Sequence, residues 1–336
     1  MTGSSQTDWV DLYDSAAPGR ISTFVTAISE AEALCLAHAL DDYSPVFLGG
    51  AEHERQLLHP AIFDYVRERW LQDVLGAAPG RPGAAMQVVN ATYAASEAEV
   101  DEPLTVTARC LDRFVKRGRR YIDFEFKIDN ACGGLIAIHW DRMLLSYRPV
   151  AQDESPNEPD HPAVGPKLDD CLDERFGETQ WFYRIPEIDV GGLGPPLFTQ
   201  SWSVSLRRQA RFSEWWRNGY FHRGRPEPLG ENLHTDADLA EREGLPSAAV
   251  SNPLYTGLLV SEFIRRSELA FLGGGFYLTK SISVVPPGST LHADVYRFGS
   301  NSGHDGARSA SSRLGIVVRT DEGSIAAVGD AWLPNL

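Results

Sequence analysis

One pattern of residues occurs twice in this chain, about half its length apart, and it limits the available folds more than any other feature. The first copy runs Val100-Asp-Glu-Pro-Leu-Thr-Val-Thr-Ala108, then Gly118-Arg-Arg-Tyr-Ile-Asp-Phe-Glu-Phe-Lys-Ile128, then Gly133-Gly-Leu-Ile-Ala137. The second runs Val285-Pro-Pro-Gly-Ser-Thr-Leu-His-Ala293, then Ser312-Arg-Leu-Gly-Ile-Val-Val318, then Gly323-Ser-Ile-Ala326. Each reads as a polar turn, a strand, a connection, an alternating strand, a Gly turn and a final strand. Tyr121, Phe124, Phe126 and Ile128 are β-prone and mostly alternate, as a half-buried antiparallel strand requires. A helical pattern precedes each copy. His59 to Leu75 places Ile62, Val66, Trp70 and Val74 on one face, and Pro253 to Leu269 gathers Leu254, Leu258, Leu259, Phe263 and Ile264. Pro60 and Pro253 suit a first helical turn, where a missing N–H is harmless.

Each half is therefore expected to be a short strand and helix, then a long helix, then an antiparallel sheet: an α+β chain of two copies packed side by side. The boundaries fall at 1–148 and 197–336, joined by a linker at 149–196 that is rich in Pro, Asp and Glu. Its Trp181-Phe182-Tyr183 patch is expected to pack on one half.

Composition excludes several functions. The 336 residues carry 46 acidic and 31 basic side chains, a formal charge of −15. That acidity argues against a nucleic-acid binder, which needs a basic face. No apolar run approaches the ~18 residues of a membrane helix. Met1 to Asp14 lacks the basic and apolar regions of a secretory leader. Cys35, Cys110, Cys132 and Cys171 show no CxxC spacing, which fits a reducing cytoplasm. Cys132, in Asn-Ala-Cys-Gly-Gly, reads as a turn residue. No phosphate loop, GxSxG, HExxH or EF-hand frame occurs.

The sharpest local motif is Asn232-Leu-His-Thr-Asp-Ala-Asp-Leu-Ala240, then Gly244-Leu-Pro246, then Thr256-Gly257 at the expected helix opening. With the duplicated helix and meander and the Pro-Gly-x-Thr-Leu turn, it resembles the double hotdog of the MaoC-like acyl-thioester dehydratases and hydratases. That family carries Asp-x-Asn-Pro-x-His-x-Asp before a central helix that opens at a Gly. The first half holds a degenerate copy, Asp42-Tyr-Ser-Pro-Val-Phe47, with Phe47 in the histidine's place. The resemblance implies a site kept in the second half and lost in the first.

It also implies a chemistry: adding or removing water on a 3-hydroxyacyl or enoyl thioester of coenzyme A or a carrier protein. Such a reaction needs a proton acceptor near the α-carbon and a donor near the leaving hydroxyl. His234 is the implied base or general acid, since its ordinary pKa of ~6.5 lies near neutrality. Gly257 is the implied oxyanion donor, with a bare backbone N–H at a helix start. The family's Asp would fall five residues before His234, where this chain has Leu229. Glu231 or Glu227 is then the available acid, moved by an insertion, since the Ser213–Gly230 segment is longer and more aromatic than the family's tight loop. Asn232 either orients His234 and substrate or turns the chain. Thr256 either donates to substrate or caps the helix. Asp236 reads as the N-cap of a helix over Ala237 to Glu243.

Asp42 is a second site candidate, or else a turn residue before Pro45. Asn90 and Lys280, early on their strands, are expected on a solvated face or at a strand end. Arg113, Lys116, Arg117, Arg119 and Arg120 form the basic cluster of an acidic chain. They are either a solvated hairpin or a dock for coenzyme A phosphates or an acidic carrier. Nothing in the residues or the resemblance implies a metal or redox cofactor. The missing Asp keeps other readings open: decarboxylation, acyl transfer, thioester hydrolysis, cyclisation, or a non-catalytic acyl-binding protein. Homodimerisation also stays open, because a double hotdog already supplies within one chain the pairing that single hotdogs gain by dimerising.

Overall fold

The computed structural model describes residue 13 and residues 17–49, 55–73, 86–145, 194–221, 233–297 and 313–334. Among them, strand β1 (Ile21–Thr26) leads into helix α1 (Glu30–Leu40) and a short α2 (Pro45–Leu48). A 3-10 turn over Pro60–Ile62 then opens α3 (Phe63–Asp73), and β2 (Met86–Ala94), β3 (Leu104–Lys116), β4 (Arg119–Asn130) and β5 (Leu135–Leu144) follow. The order then recurs: β6 (Phe198–Ser203), α4 (Leu206–Phe221), α5 (Ala237–Arg242), α6 (Asn252–Arg266), β7 (Gly275–Ser281), β8 (Thr290–Arg297), β9 (Arg313–Thr320) and β10 (Ile325–Trp332).

All strands join one ten-stranded sheet in the order β1-β3-β4-β5-β2-β7-β10-β9-β8-β6. The two halves meet at β2 and β7, paired antiparallel from Val89↔Lys280 to Ala94↔Gly275. Burial alternates along β3, so that Leu104, Val106, Ala108 and Cys110 face the core, the period that a one-sided sheet dictates.

Helix α6 is buried from Asn252 to Ile264, which explains an apolar pattern broader than a single stripe. Its predicted start at Pro253 is one residue late: Ser251 holds the N-cap position and Pro253 sits in the first turn. It ends where Glu268 and Leu269 adopt positive φ. The other long helix is broken: a 3-10 turn precedes α3, which the described residues carry to Asp73. Helix α1 opens with a capping box in which Ser29 Oγ accepts the Glu32 N–H and Glu32 Oε2 accepts the Ser29 N–H. The buried Glu32 also pairs with Arg69 of α3 and accepts from Tyr65 Oη at 3.0 Å. At the other end of α1, Asp41 adopts a left-handed conformation and its carboxylate takes Arg208 and Arg211 of α4, an ion-paired contact between the halves.

Ser213 onward continues α4 as helix to Phe221; Gly219 and the clustered aromatics conceal the period in sequence. Asn90 corrects an expectation. It is 1% exposed, because β2 is a central strand with neighbours on both sides, whereas Lys280 is exposed as expected. Cys132 lies in the expected turn, where Asn130 Oδ1 accepts the N–H groups of Cys132 and Gly134. Cys171 and the linker from 149 to 193, with its aromatic patch, lie outside the described residues. No helix among the described residues is long and apolar enough to cross a membrane.

Candidate active site

His234 lies in a turn over Leu233–Thr235, directly before α5. Asp236 caps that helix as expected, its Oδ1 accepting the Leu239 N–H at 2.9 Å. His234 Nδ1 is 2.7 Å from the Ala249 carbonyl oxygen, and the Ala249 N–H donates to the Leu233 carbonyl at 3.0 Å. A carbonyl can only accept, so Nδ1 carries the proton and Nε2 is left as the basic nitrogen. Burial lowers the His234 pKa, an effect the Ala249 carbonyl partly opposes, so the ring is neutral at pH 7. Leu233, Leu239, Ala240, Leu245 and Ala249 hold the turn as an apolar cluster, with Met86 of β2 packed against it. Ala249 runs directly into Ser251 and the start of α6, so the histidine sits at the mouth of that helix. Glu231, Asn232 and Glu227, the companions expected for His234, lie outside the described residues.

Gly257 is a correction. It is the sixth residue of α6, not its opening. Only the first four N–H groups of a helix are free of the internal ladder, so the Gly257 N–H is not an oxyanion donor. Its missing side chain serves packing: a Cβ there would lie 2.7 Å from Leu40 Cδ2 and 3.5 Å from Ala61 Cβ. Thr256 is not the cap either. Its buried hydroxyl donates to Asn252 Oδ1 at 2.9 Å and lies 3.0 Å from Thr279 Oγ1. Near it, Ser281 Oγ accepts from Asn252 Nδ2 at 2.7 Å and contacts Tyr255 Oη at 2.7 Å.

Asp42 belongs to a different place. It is 3% exposed, and its Oδ1 accepts the Ser44 N–H at 3.1 Å, a turn-forming bond. Its Oδ2 lies 3.6 Å from Nε2 of His59, itself 3% exposed. The same Nε2 is 3.0 Å from Ser261 Oγ of α6, while Nδ1 accepts the Ala61 N–H at 3.1 Å. Ser261 lies ten residues beyond Ser251, about 15 Å along the helix. The Asp42 group therefore meets α6 in its second half, away from the end that His234 neighbours.

A third buried group, absent from the sequence reading, joins the halves. Asp64, His139 and Asp141 offer ligand atoms within 4.8 Å of one another, which is metal-like spacing. However, Arg67 hydrogen-bonds Asp141 and lies 3.4 Å from Asp64, so a guanidinium already supplies the positive charge there. Burial, then Arg67, hold the His139 pKa well below its ordinary value. From His139 Nδ1 a chain of bonds runs through Thr92 Oγ1 at 2.9 Å to Tyr277 Oη at 3.0 Å and on to Asn90 Oδ1 at 3.1 Å. These residues come from α3, β2, β5 and β7, and no sequence motif links them.

The basic hairpin splits by strand alternation. Arg113 and Arg120 both lie against the Tyr13 ring, at 5.4 and 5.0 Å. Lys116 and Arg119 are paired across the β3–β4 ladder, and Arg117 holds the turn with positive φ. Partial desolvation of its stem, then Arg142 of β5, Lys116 and Arg117, lower the pKa of Lys280 of β7, whose side chain is exposed. A cationic patch thus draws on both halves, although Arg142 is itself bonded to Asp123 at 2.7 Å through both nitrogens.

No protein-family model matches the chain, and no curated protein matches it in sequence. Two helix-and-meander halves sharing one ten-stranded sheet define a double hotdog protein, and solved structures agree. A MaoC-like dehydratase from Phytophthora capsici superposes with a TM-score of 0.63 at 12% identity, covering 96% of this chain and 99% of that one. A Mycobacterium tuberculosis protein described as a double hotdog gives 0.53 at 14% identity, covering 95% and 97%. The peroxisomal multifunctional enzyme type 2 of Drosophila melanogaster gives 0.59 at 13% identity, covering 94% of this chain. This chain spans 48% of the length of the Drosophila enzyme. At these identities the likeness is one of fold.

Proposed function

We infer that this chain is a hydro-lyase that adds or removes water on an acyl thioester. The observation that carries the reading is His234. It is neutral and held by an Nδ1–H bond to Ala249, two residues before the N-cap of α6, on a fold that MaoC-like dehydratases also use. A general base needs a fixed tautomer and a neutral ring. Glu231 is its partner in proton transfer and Asn232 the residue that orients it. In place of Gly257, the first turn of α6 supplies the positive end of the helix dipole to the thioester oxygen. The patch of Lys116, Arg117, Arg119 and Lys280 attracts the phosphates of coenzyme A or of a carrier protein's prosthetic arm.

Leu229 at the spacing where the family has its Asp favours a second reading. In it the same thioester pocket serves decarboxylation, acyl transfer, hydrolysis or cyclisation. The first reading is tested by His234→Ala, assayed for hydration of crotonyl-coenzyme A. Loss of turnover by about 100-fold or more, the usual contribution of a general acid–base group, with an unchanged circular dichroism spectrum, supports it. Near wild-type turnover refutes the site.

A further inference from the structure

We propose that the N-terminal half keeps an acid–base site of its own, rebuilt from Asp42 and His59 at the seam with α6; this rests on the acyl-thioester reading above. The motif copy in this half has lost its histidine to Phe47. Folding returns one from elsewhere: His59 sits beneath the Phe47 ring, centroid to centroid 5.0 Å, with Nε2 3.6 Å from Asp42 Oδ2.

Asp42's structural duty accounts for half of its carboxylate. Oδ1 makes the turn to Ser44, and an asparagine would serve there equally. Oδ2 is buried and has no hydrogen-bond partner among the described residues. A buried carboxylate oxygen left in that state is expensive, and a site for an incoming donor explains it. His59 is held to match. Because the Ala61 N–H donates to Nδ1, the ring proton is on Nε2, directed between Ser261 Oγ at 3.0 Å and Asp42 Oδ2 at 3.6 Å. Serine and carboxylate thus approach the same nitrogen. A Ser–His–Asp nucleophile needs them on opposite nitrogens, so the arrangement suits proton transfer by Asp42, with the His59 Nε2–H, 3.6 Å from Oδ2, polarising the carboxylate.

Phe47, against the His59 ring, and the buried Leu40 and Ala61 beside Gly257 make the surroundings apolar, the character an acyl chain requires. In the hydration direction, Asp42 takes a proton from water as the water oxygen bonds to the β-carbon of an enoyl thioester. The double-bond electron pair moves to the α-carbon and carbonyl, and protonated Asp42 returns the proton to the α-carbon. One water is added and the carboxylate is restored.

The test compares His234→Ala, Asp42→Asn and the double variant on crotonyl-coenzyme A, with His59→Gln as a second route should Asp42→Asn not fold. The expected result is residual turnover in His234→Ala that falls about 100-fold or more when Asp42→Asn is added. In parallel, unreactive butyryl-coenzyme A should shift the His59 signal in a 15N-histidine NMR spectrum of the full chain. If Asp42→Asn and His59→Gln leave turnover unchanged and butyryl-coenzyme A leaves the His59 signal in place, the second site is overturned while the thioester reading stands. A wild-type chain inert on the thioester overturns both.

Discussion

Replacing Gly257 with alanine sets two effects of known size against each other. Within a helix the change removes glycine's excess backbone freedom, a gain of about 0.5–1 kcal/mol. Against it, the new Cβ would stand 2.7 Å from Leu40 Cδ2, 3.1 Å from Leu40 Cδ1 and 3.5 Å from Ala61 Cβ. The leucine is 2% exposed and shares one core with Ala61 and Leu258, so its methyls have little room to turn away. Forcing a methyl into such a core costs about 1–3 kcal/mol, which exceeds the helical gain. Gly257→Ala should therefore destabilise the protein by about 1–2 kcal/mol, read as a lower urea midpoint at constant slope. Adding Leu40→Ala removes the obstacle. The double variant should be less destabilised than the two single effects summed, a coupling of about 0.5 kcal/mol or more. A midpoint that rises in Gly257→Ala, or effects that simply add, would refute the view that glycine is there to let α1 approach α6.

Other outcomes follow from buried charge. Burial, only partly offset by Asp42, lowers the His59 pKa from 6.5 to about 4. The unfolded chain then takes up a proton that the folded chain refuses, so stability falls as pH drops from about 6.5 towards 4, by up to about 3 kcal/mol from this group. His59→Gln should flatten that part of a urea-midpoint series against pH, and an unchanged slope contradicts the assignment. Arg69→Met leaves Glu32 buried without its guanidinium and should cost about 3–5 kcal/mol. Adding Glu32→Gln should recover part of that loss, and no recovery in the urea midpoint would place the cost elsewhere. Reversing the patch with Arg117→Glu and Lys280→Glu should raise KM for a coenzyme A thioester several-fold at low salt, with less effect at high salt and little on kcat. An unchanged KM at low salt removes the patch from substrate capture.

The architecture was legible because the signals for it are local and repeated. Alternation along β4, the four-residue spacing of Ile62, Val66 and Trp70, and prolines at the openings of the central helices each report on neighbours in sequence. The site was legible only where its residues form a motif, as around His234. His59 was visible as the residue before Pro60, yet nothing in the chain indicates that it faces Asp42, because α1, α2 and α6 must pack before the two meet. Asp64, His139 and Asp141 were hidden in the same way, and β5 gives no alternation to mark a polar inner face, being buried on both sides. Gly257 misled because a glycine near a helix start suits an anion site and a close helix crossing equally. Only the position of the first turn separates the two.

The central claim is that the chain performs water chemistry on an acyl thioester. Its most direct test is mass spectrometry of the purified protein incubated with crotonyl and 3-hydroxybutyryl thioesters of coenzyme A and of a carrier protein. The account predicts gain or loss of one water on at least one of them, abolished when His234→Ala and Asp42→Asn are combined. Release of a free acid in place of that change, or no change of mass on any member, would contradict it.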